Sequence, residues 1–175
     1  MALTGDVTVH CPIAYGSVAF WLGRKADESA THRWTLFVRG PNGEDPRYFI
    51  SKVVFHLHES FAQAVRTVTE PPFEVTENGW GEFDTRIRIH FRDPREEPLE
   101  ILHPLKLYPP GNAPPAVKRP VVSEFYDEVC FTNPSEAFYA TIMRDANKPA
   151  LPSTMQVCSL KHWLCGTRCQ REAHA

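Results

Sequence analysis

Apolar and polar positions alternate along most of the middle of the chain with a period of two. Arg86-Ile87-Arg88-Ile89-His90-Phe91 is the cleanest case. Ile87, Ile89 and Phe91 fall on one face and Arg86, Arg88 and His90 on the other, as in a half-exposed strand. His32 to Arg39 is aromatic and β-branched and stops at Gly40-Pro41-Asn42-Gly43, a turn signal. Tyr48 to Leu57 carries apolar residues on both parities and predicts a mostly buried strand. Leu99 to His103 and Leu105 to Leu107 alternate as well, with Pro104 between them marking an edge position or a bulge. Val121 to Phe131 predicts another strand, with Phe125, Val129 and Phe131 as core residues. Asn133-Pro134-Ser135 reads as a helix start, with either Asn133 or Ser135 as cap and one short helix over Ala137 to Met143.

Short strands separated by Pro, Gly and Asp turns, without helices between them, indicate a two-sheet β-sandwich. Sixteen prolines in 175 residues argue against long helices. Pro109 to Pro120 shows no periodicity and reads as a long loop. A chain that is 42% hydrophobic has material for one sizeable core. The expected division is a sandwich over 1–134, a short helix over 135–144 and a disordered tail over 145–175.

The formal charge of −2 provides no global cationic field, so direct nucleic-acid binding is expected to be weak or absent. No apolar run is long enough for a bilayer, and the N-terminus carries no secretory pattern. The five cysteines do not form the framework of a small disulfide-stapled domain.

The candidate chemistry lies in two turn-like segments, His58-Glu59-Ser60-Phe61 and Gly79-Trp80-Gly81-Glu82-Phe83. Together they offer aromatic faces, an imidazole, a hydroxyl and a backbone bared by glycine. Those groups suit a flat neutral ligand. Phe61 and Phe83 in isolation would read as core aromatics; their place in turns beside Ser60 and Trp80 argues for a binding site. Ser60 near His58 suggests a nucleophile and its base, yet no third orienting group and no strand–elbow–helix setting accompany them. Walker, dinucleotide and zinc-protease patterns are absent from the sequence. The chain is therefore read as a binding protein, not an enzyme, with no cofactor. His56 and His58 lack a third metal ligand at sensible spacing, so no metal is expected there. Glu59 is read as solvated, and Arg86, Arg88 and His90 as an ordinary solvated face. Cys158, His162, Cys165, Cys169 and His174 match no usual zinc knuckle.

Several motifs in register resemble the YEATS domains, readers of acylated lysine on histone tails. They are Pro12-Ile13-Ala14-Tyr15-Gly16, Thr31-His32-Arg33-Trp34, Phe37 to Pro41, Val53 to Phe61, Glu70 to Val75, Gly79 to Phe83 and Ile89-His90-Phe91. Trp80 and the run Val121 to Glu128 most resemble the branch shared by a histone-variant-exchange remodeller and a histone acetyltransferase complex. The resemblance implies an immunoglobulin-like β-sandwich, a nuclear location, and two kinds of partner: an acylated histone tail and the subunits of such a complex. It also implies the ligand. Phe61 and Trp80 would sandwich the acyl amide, Ser60 would accept from its N–H, and the Trp80 backbone N–H would donate to its carbonyl. His58, Gly79, Gly81 and Phe83 would complete an acyl-lysine site for acetyl or crotonyl groups. Two departures are visible. Some relatives place an aromatic near Ala30, and some an acidic residue near Pro104. The alternative reading is a β-sandwich scaffold subunit with a weak or vestigial acyl pocket.

Overall fold

The structure is a computed structural model that describes residues 6–111 and 114–146. Among these residues eight strands and one α-helix follow in chain order: β1 (Thr8–Trp21), β2 (His32–Arg39), β3 (Ile50–His56), β4 (Val65–Val68), β5 (Phe73–Gly79), β6 (Asp84–Phe91), β7 (Leu99–Pro104), β8 (Val121–Thr132) and α1 (Glu136–Asp145). They build two four-stranded sheets, ordered β5-β2-β1-β8 and β4-β3-β6-β7. Every neighbouring pair is antiparallel. This is the immunoglobulin-like sandwich with a short C-terminal helix.

Alternation places the core between the sheets. Ile87 and Ile89 are buried on β6 while Arg86 and Arg88 face out. Trp34, Leu36, Phe55, Phe73 and Phe131 meet them from the other strands. β3 departs from strict alternation because its register with β6 shifts between Ile50 and Lys52, which lets Ile50 and Val53 both turn inward. The expected strand at Tyr48 begins later, after a 3-10 turn over Pro46–Tyr48 capped by Asp45. β7 is an edge strand and Pro104 is its last residue, where a missing N–H costs no ladder bond. Leu105 and Leu107 lie beyond that strand yet are fully buried.

Ser135 supplies the helix cap, accepting from the Phe138 N–H at 3.2 Å. Asn133 instead occupies a left-handed turn at φ 51° and accepts from the Val7 N–H at 2.9 Å. α1 buries Phe138 and Ile142, each contributing about 1.5–3 kcal/mol if fully removed from water. Phe125 does not join the core. It is 47% exposed, because β8 is an edge strand and its ring stacks on Tyr15 at the open margin of the sandwich.

Candidate functional site

The two candidate loops sit at the end of the sandwich opposite α1. The first connects β3 to β4, and the second crosses from β5 to β6 and so from one sheet to the other. The Leu57 N–H donates to Ala64 O at 2.7 Å and closes the base of the first loop. Within it, the Phe61 N–H donates to His58 O at 3.1 Å. The Ser60 amide donates to His58 Nδ1 at 3.2 Å, so that nitrogen accepts and the ring proton sits on Nε2. The Ser60 hydroxyl lies 3.0 Å from the same Nδ1 and donates to it. Its oxygen keeps its lone pairs for an incoming donor.

Four rings gather beneath the loops. Phe61 and Phe83 meet Trp34 edge-on at centroid distances of 5.7 and 5.8 Å. Phe61 and Phe83 are 5.7 Å apart, and His58 lies 5.9 Å from Phe83. Trp34 is fully buried, whereas Phe61 and Phe83 are half-buried, so the cluster has a fixed floor and a reachable top. Gly79 pairs with His32 at the end of β5. A Cβ there would stand 3.3 Å from Trp34 Nε1 and 3.8 Å from Phe61 Cζ, so the main chain runs against the rings where only glycine fits without displacement. A Cβ at Gly81 would meet nothing within 4 Å. Trp80, between them, is 65% exposed and makes no ring contact among the described residues.

A third segment straps the second loop. The Glu82 carboxylate accepts from the Leu107 and Tyr108 amides at 2.8 and 3.2 Å and from Lys106 Nζ at 3.2 Å. Burial pushes its pKa up, but the two amides and the lysine outweigh that and hold it below the ordinary carboxylate value. The Tyr108 hydroxyl donates to Trp80 O at 3.2 Å, and its ring meets His32 edge-on at 5.0 Å. Leu105 N–H donates to Phe83 O at 2.9 Å. Burial lowers the pKa of His32, with Glu82 opposing, so the ring is neutral at pH 7. Its Nδ1 bonds Thr31 Oγ1 at 2.9 Å, tying the start of β2 to the Gly79 carbonyl, which accepts from the same hydroxyl at 3.4 Å.

All seven residues singled out in sequence thus fall into one region: His58, Ser60, Phe61 and Phe83 around the ring cluster, Gly79, Trp80 and Gly81 on the crossing loop. Trp34, expected only as strand framework, is the floor of that cluster. Glu82 and Tyr108 were not singled out. The one available signal was the placement of Tyr108 just before Pro109-Pro110, where an aromatic ending an alternating run must pack somewhere. Glu59 is exposed, as expected.

A second concavity, a cleft of about 560 Å³, lies at the α1 end and includes Asp45, Arg47, Arg92, Asp93 and Arg144. Its charges are largely engaged with one another: Arg47 with Asp45, Asp93 with Arg95 and Ser135, Arg144 with Asp145. Volume alone does not make it the better site. Among the described residues, no three His, Cys, Asp or Glu side chains group in a way that could hold a metal ion. The tail cysteines and histidines from Cys158 onward lie outside the described residues.

Comparison with known proteins gives a consistent result. The YEATS family model matches residues 29–109. Transcription initiation factor TFIID subunit 14b of Arabidopsis thaliana is 49% identical over 148 residues, covering 83% of this chain and 54% of that protein. Protein AF-9 homolog of Eremothecium gossypii is 44% identical over 154 residues, covering 84% of this chain and 74% of that protein. The chain therefore spans about half the length of the plant relative and about three quarters of the fungal one. Among solved structures, the Yaf9 YEATS domain bound to H3K27ac superposes with a TM-score of 0.71 at 40% identity, covering 82% of this chain and 99% of that one. With a β-sandwich, both site loops in place and relatives this similar across most of its length, the chain belongs to the YEATS family.

Proposed function

We propose that this chain is a chromatin reader that binds acetylated or crotonylated lysine on histone tails, as a subunit of a nuclear remodelling or acetyltransferase complex. The observation that carries this reading is the open top of the ring cluster. Phe61 is half-buried on the Trp34 floor, Trp80 is 65% exposed, and Ser60 offers free lone pairs beside them. Acylation removes the lysine charge and leaves a planar amide. A charged ammonium would be costly to strip of water between aromatic faces, whereas the neutral amide is much cheaper to bury. Phe61 and Trp80 stack on the acyl plane, and Ser60 Oγ accepts the amide N–H. The Trp80 N–H, on a backbone flanked by Gly79 and Gly81, donates to the acyl carbonyl. The solved relative bound to H3K27ac supports the ligand class.

A scaffold with a vestigial pocket would be expected to plug the slot with its own side chains; the exposure of Trp80 argues against that. Catalysis by Ser60 is disfavoured too. His58 Nδ1, which faces the hydroxyl, also accepts the Ser60 amide, and among the described residues no carboxylate orients the ring.

Titration of unmodified, acetylated and crotonylated histone peptides tests the reading. Ser60→Ala removes an acceptor from a buried amide, worth about 1–3 kcal/mol, and should weaken binding several-fold or more. Phe61→Ala and Trp80→Ala lose stacking of about 0.5–1.5 kcal/mol beyond burial and should weaken it further. Affinity unchanged in all three variants would overturn the assignment.

A further inference from the structure

The second candidate surface is the free edge of β8, and it is independent of the acyl-lysine reading. Among the described residues β8 pairs with β1 on one side and has no strand on the other. The ladder shows which groups are free. Phe131 and Val129 lie opposite Val9 and Cys11, while Glu128 lies opposite Pro12, which has no N–H to give. In an antiparallel pair, bonded and non-bonded positions alternate, so Tyr126, Glu128 and Cys130 turn their N–H and C=O groups outward. Two local contacts agree. The Glu128 N–H donates to the Asp127 carboxylate at 2.8 Å, and the Cys130 thiol lies 3.9 Å from Glu128 O. These are short-range stand-ins for a missing neighbour strand.

Along this edge runs a groove of about 480 Å³ between β8 and the turn that leads into β7. Its floor includes Val129 and Phe131 from the core, and Glu96, Glu97, Asp127 and Glu128 stand on its walls. Arg95 also lines it, but its guanidinium is held by Asp93 at 3.0 Å. Glu128 is engaged by His10 Nδ1 at 3.1 Å, so the remaining acidic charge of the groove rests on Glu96, Glu97 and Asp127. β8 contains no proline and no lysine, devices that commonly blunt an edge. A second copy of the chain is a poor occupant: two antiparallel β8 strands would bring Glu124, Asp127 and Glu128 against their like.

We propose that the β8 edge is a docking site for an extended basic polypeptide, which adds as a further strand. Its backbone bonds Tyr126, Glu128 and Cys130, its apolar side chains enter the groove, and its lysines or arginines meet Glu96, Glu97 and Asp127. The site lies toward the α1 end, away from the ring cluster, so both can be occupied at once.

The probe is a labelled unacylated peptide that alternates lysine and valine, with a glutamate–valine peptide as control, read by fluorescence anisotropy. The lysine peptide should bind and weaken with salt; the glutamate peptide should not bind. Glu96→Lys with Glu97→Lys, off the strand, should weaken it by about tenfold or more. Glu128→Pro removes an outward N–H without touching the β1 ladder and should abolish binding, whereas Glu128→Gln should cost only a few-fold by the loss of one charge. A thermal melt checks that each variant folds. Amide exchange at Tyr126, Glu128 and Cys130 should slow on binding. Acetyl-lysine peptide affinity, measured alongside, should stay unchanged, which separates failure here from failure of the reader assignment. No binding, equal binding of the glutamate peptide, indifference to Glu96→Lys with Glu97→Lys, or displacement of the peptide by self-association through β8 would overturn the proposal.

Discussion

Glu82→Ala removes the anchor that holds the Trp80 loop to the segment after β7. Three bonds are lost, and they are not equal. Leu107 is fully buried, so its amide is left unsatisfied at a cost of about 1–3 kcal/mol. Tyr108 is exposed, and water replaces the carboxylate at its amide. The Lys106 pair is half in solvent and contributes between about 0 and 1 kcal/mol. The sum is governed by the Leu107 amide, and a destabilisation of about 2 kcal/mol is expected. If the loss is confined to the loop, about 2 kcal/mol lowers the ratio of strapped to released conformations roughly thirtyfold, so a strap about 95% formed falls to about 40%. Apparent peptide affinity drops by the same fraction, about two- to threefold, with direct contacts intact. Glu82→Gln keeps one oxygen for both amides and should fall between Ala and wild type. Calorimetric titration with an acetyl-lysine peptide, alongside a thermal melt, reads both quantities. Glu82→Ala with unchanged affinity and unchanged melting would refute the strap. The carboxylate also predicts an acid limit. Its pKa is lowered in the fold, so its contribution is complete above the unfolded value near 4.3 and is lost as pH falls through the lower folded value.

The Gly79→Ala Cβ would press on Trp34 Nε1 at 3.3 Å while Phe61 Cζ at 3.8 Å stays in ordinary contact. Because fully buried Trp34 cannot yield, the crossing loop must shift slightly, and a few-fold loss of acyl-peptide affinity with a small drop in melting temperature is expected. His103 is buried beside Ser17, Tyr15 and Phe125, and burial pushes its pKa down to about 4. The unfolded chain takes up that proton more readily, so stability is full above pH 6.5 and declines by about 3 kcal/mol as pH falls toward 4. Denaturant unfolding across that range should show the slope in the wild type and not in His103→Gln; the same slope in both would exclude His103 as its source.

How far the sequence discloses this molecule depends on whether the relevant neighbour is local. β2 and β6 were legible because their pleats show directly as aromatic and alternating runs, and α1 because Ser135 and Pro134 mark its start. β1 was not read as a strand, although it is the longest of the eight. Pro12 and Gly16 look like breakers, yet Pro12 falls opposite Glu128 where β1 owes no ladder bond, and Gly16 lies where the Ser123 carbonyl would strike any Cβ. Both residues are explained only by β8, more than a hundred positions away. β5 hides for a related reason: it is an edge strand, and Glu74, Glu77 and Asn78 face water or the other sheet, as Glu77 does toward Arg66 at 2.6 Å. The site divides in the same way. Phe61, Trp80 and Ser60 declared themselves through local turn chemistry. Glu82 and Tyr108 act across 25 to 28 residues of chain through bonds to backbone atoms, which leave no pattern in side-chain type. Turn chemistry therefore identifies the groups that would touch a ligand, while the groups that hold them in place emerge only once the third segment folds back. Mutations guided by motif alone would strip the slot of its walls and never test what keeps them apart.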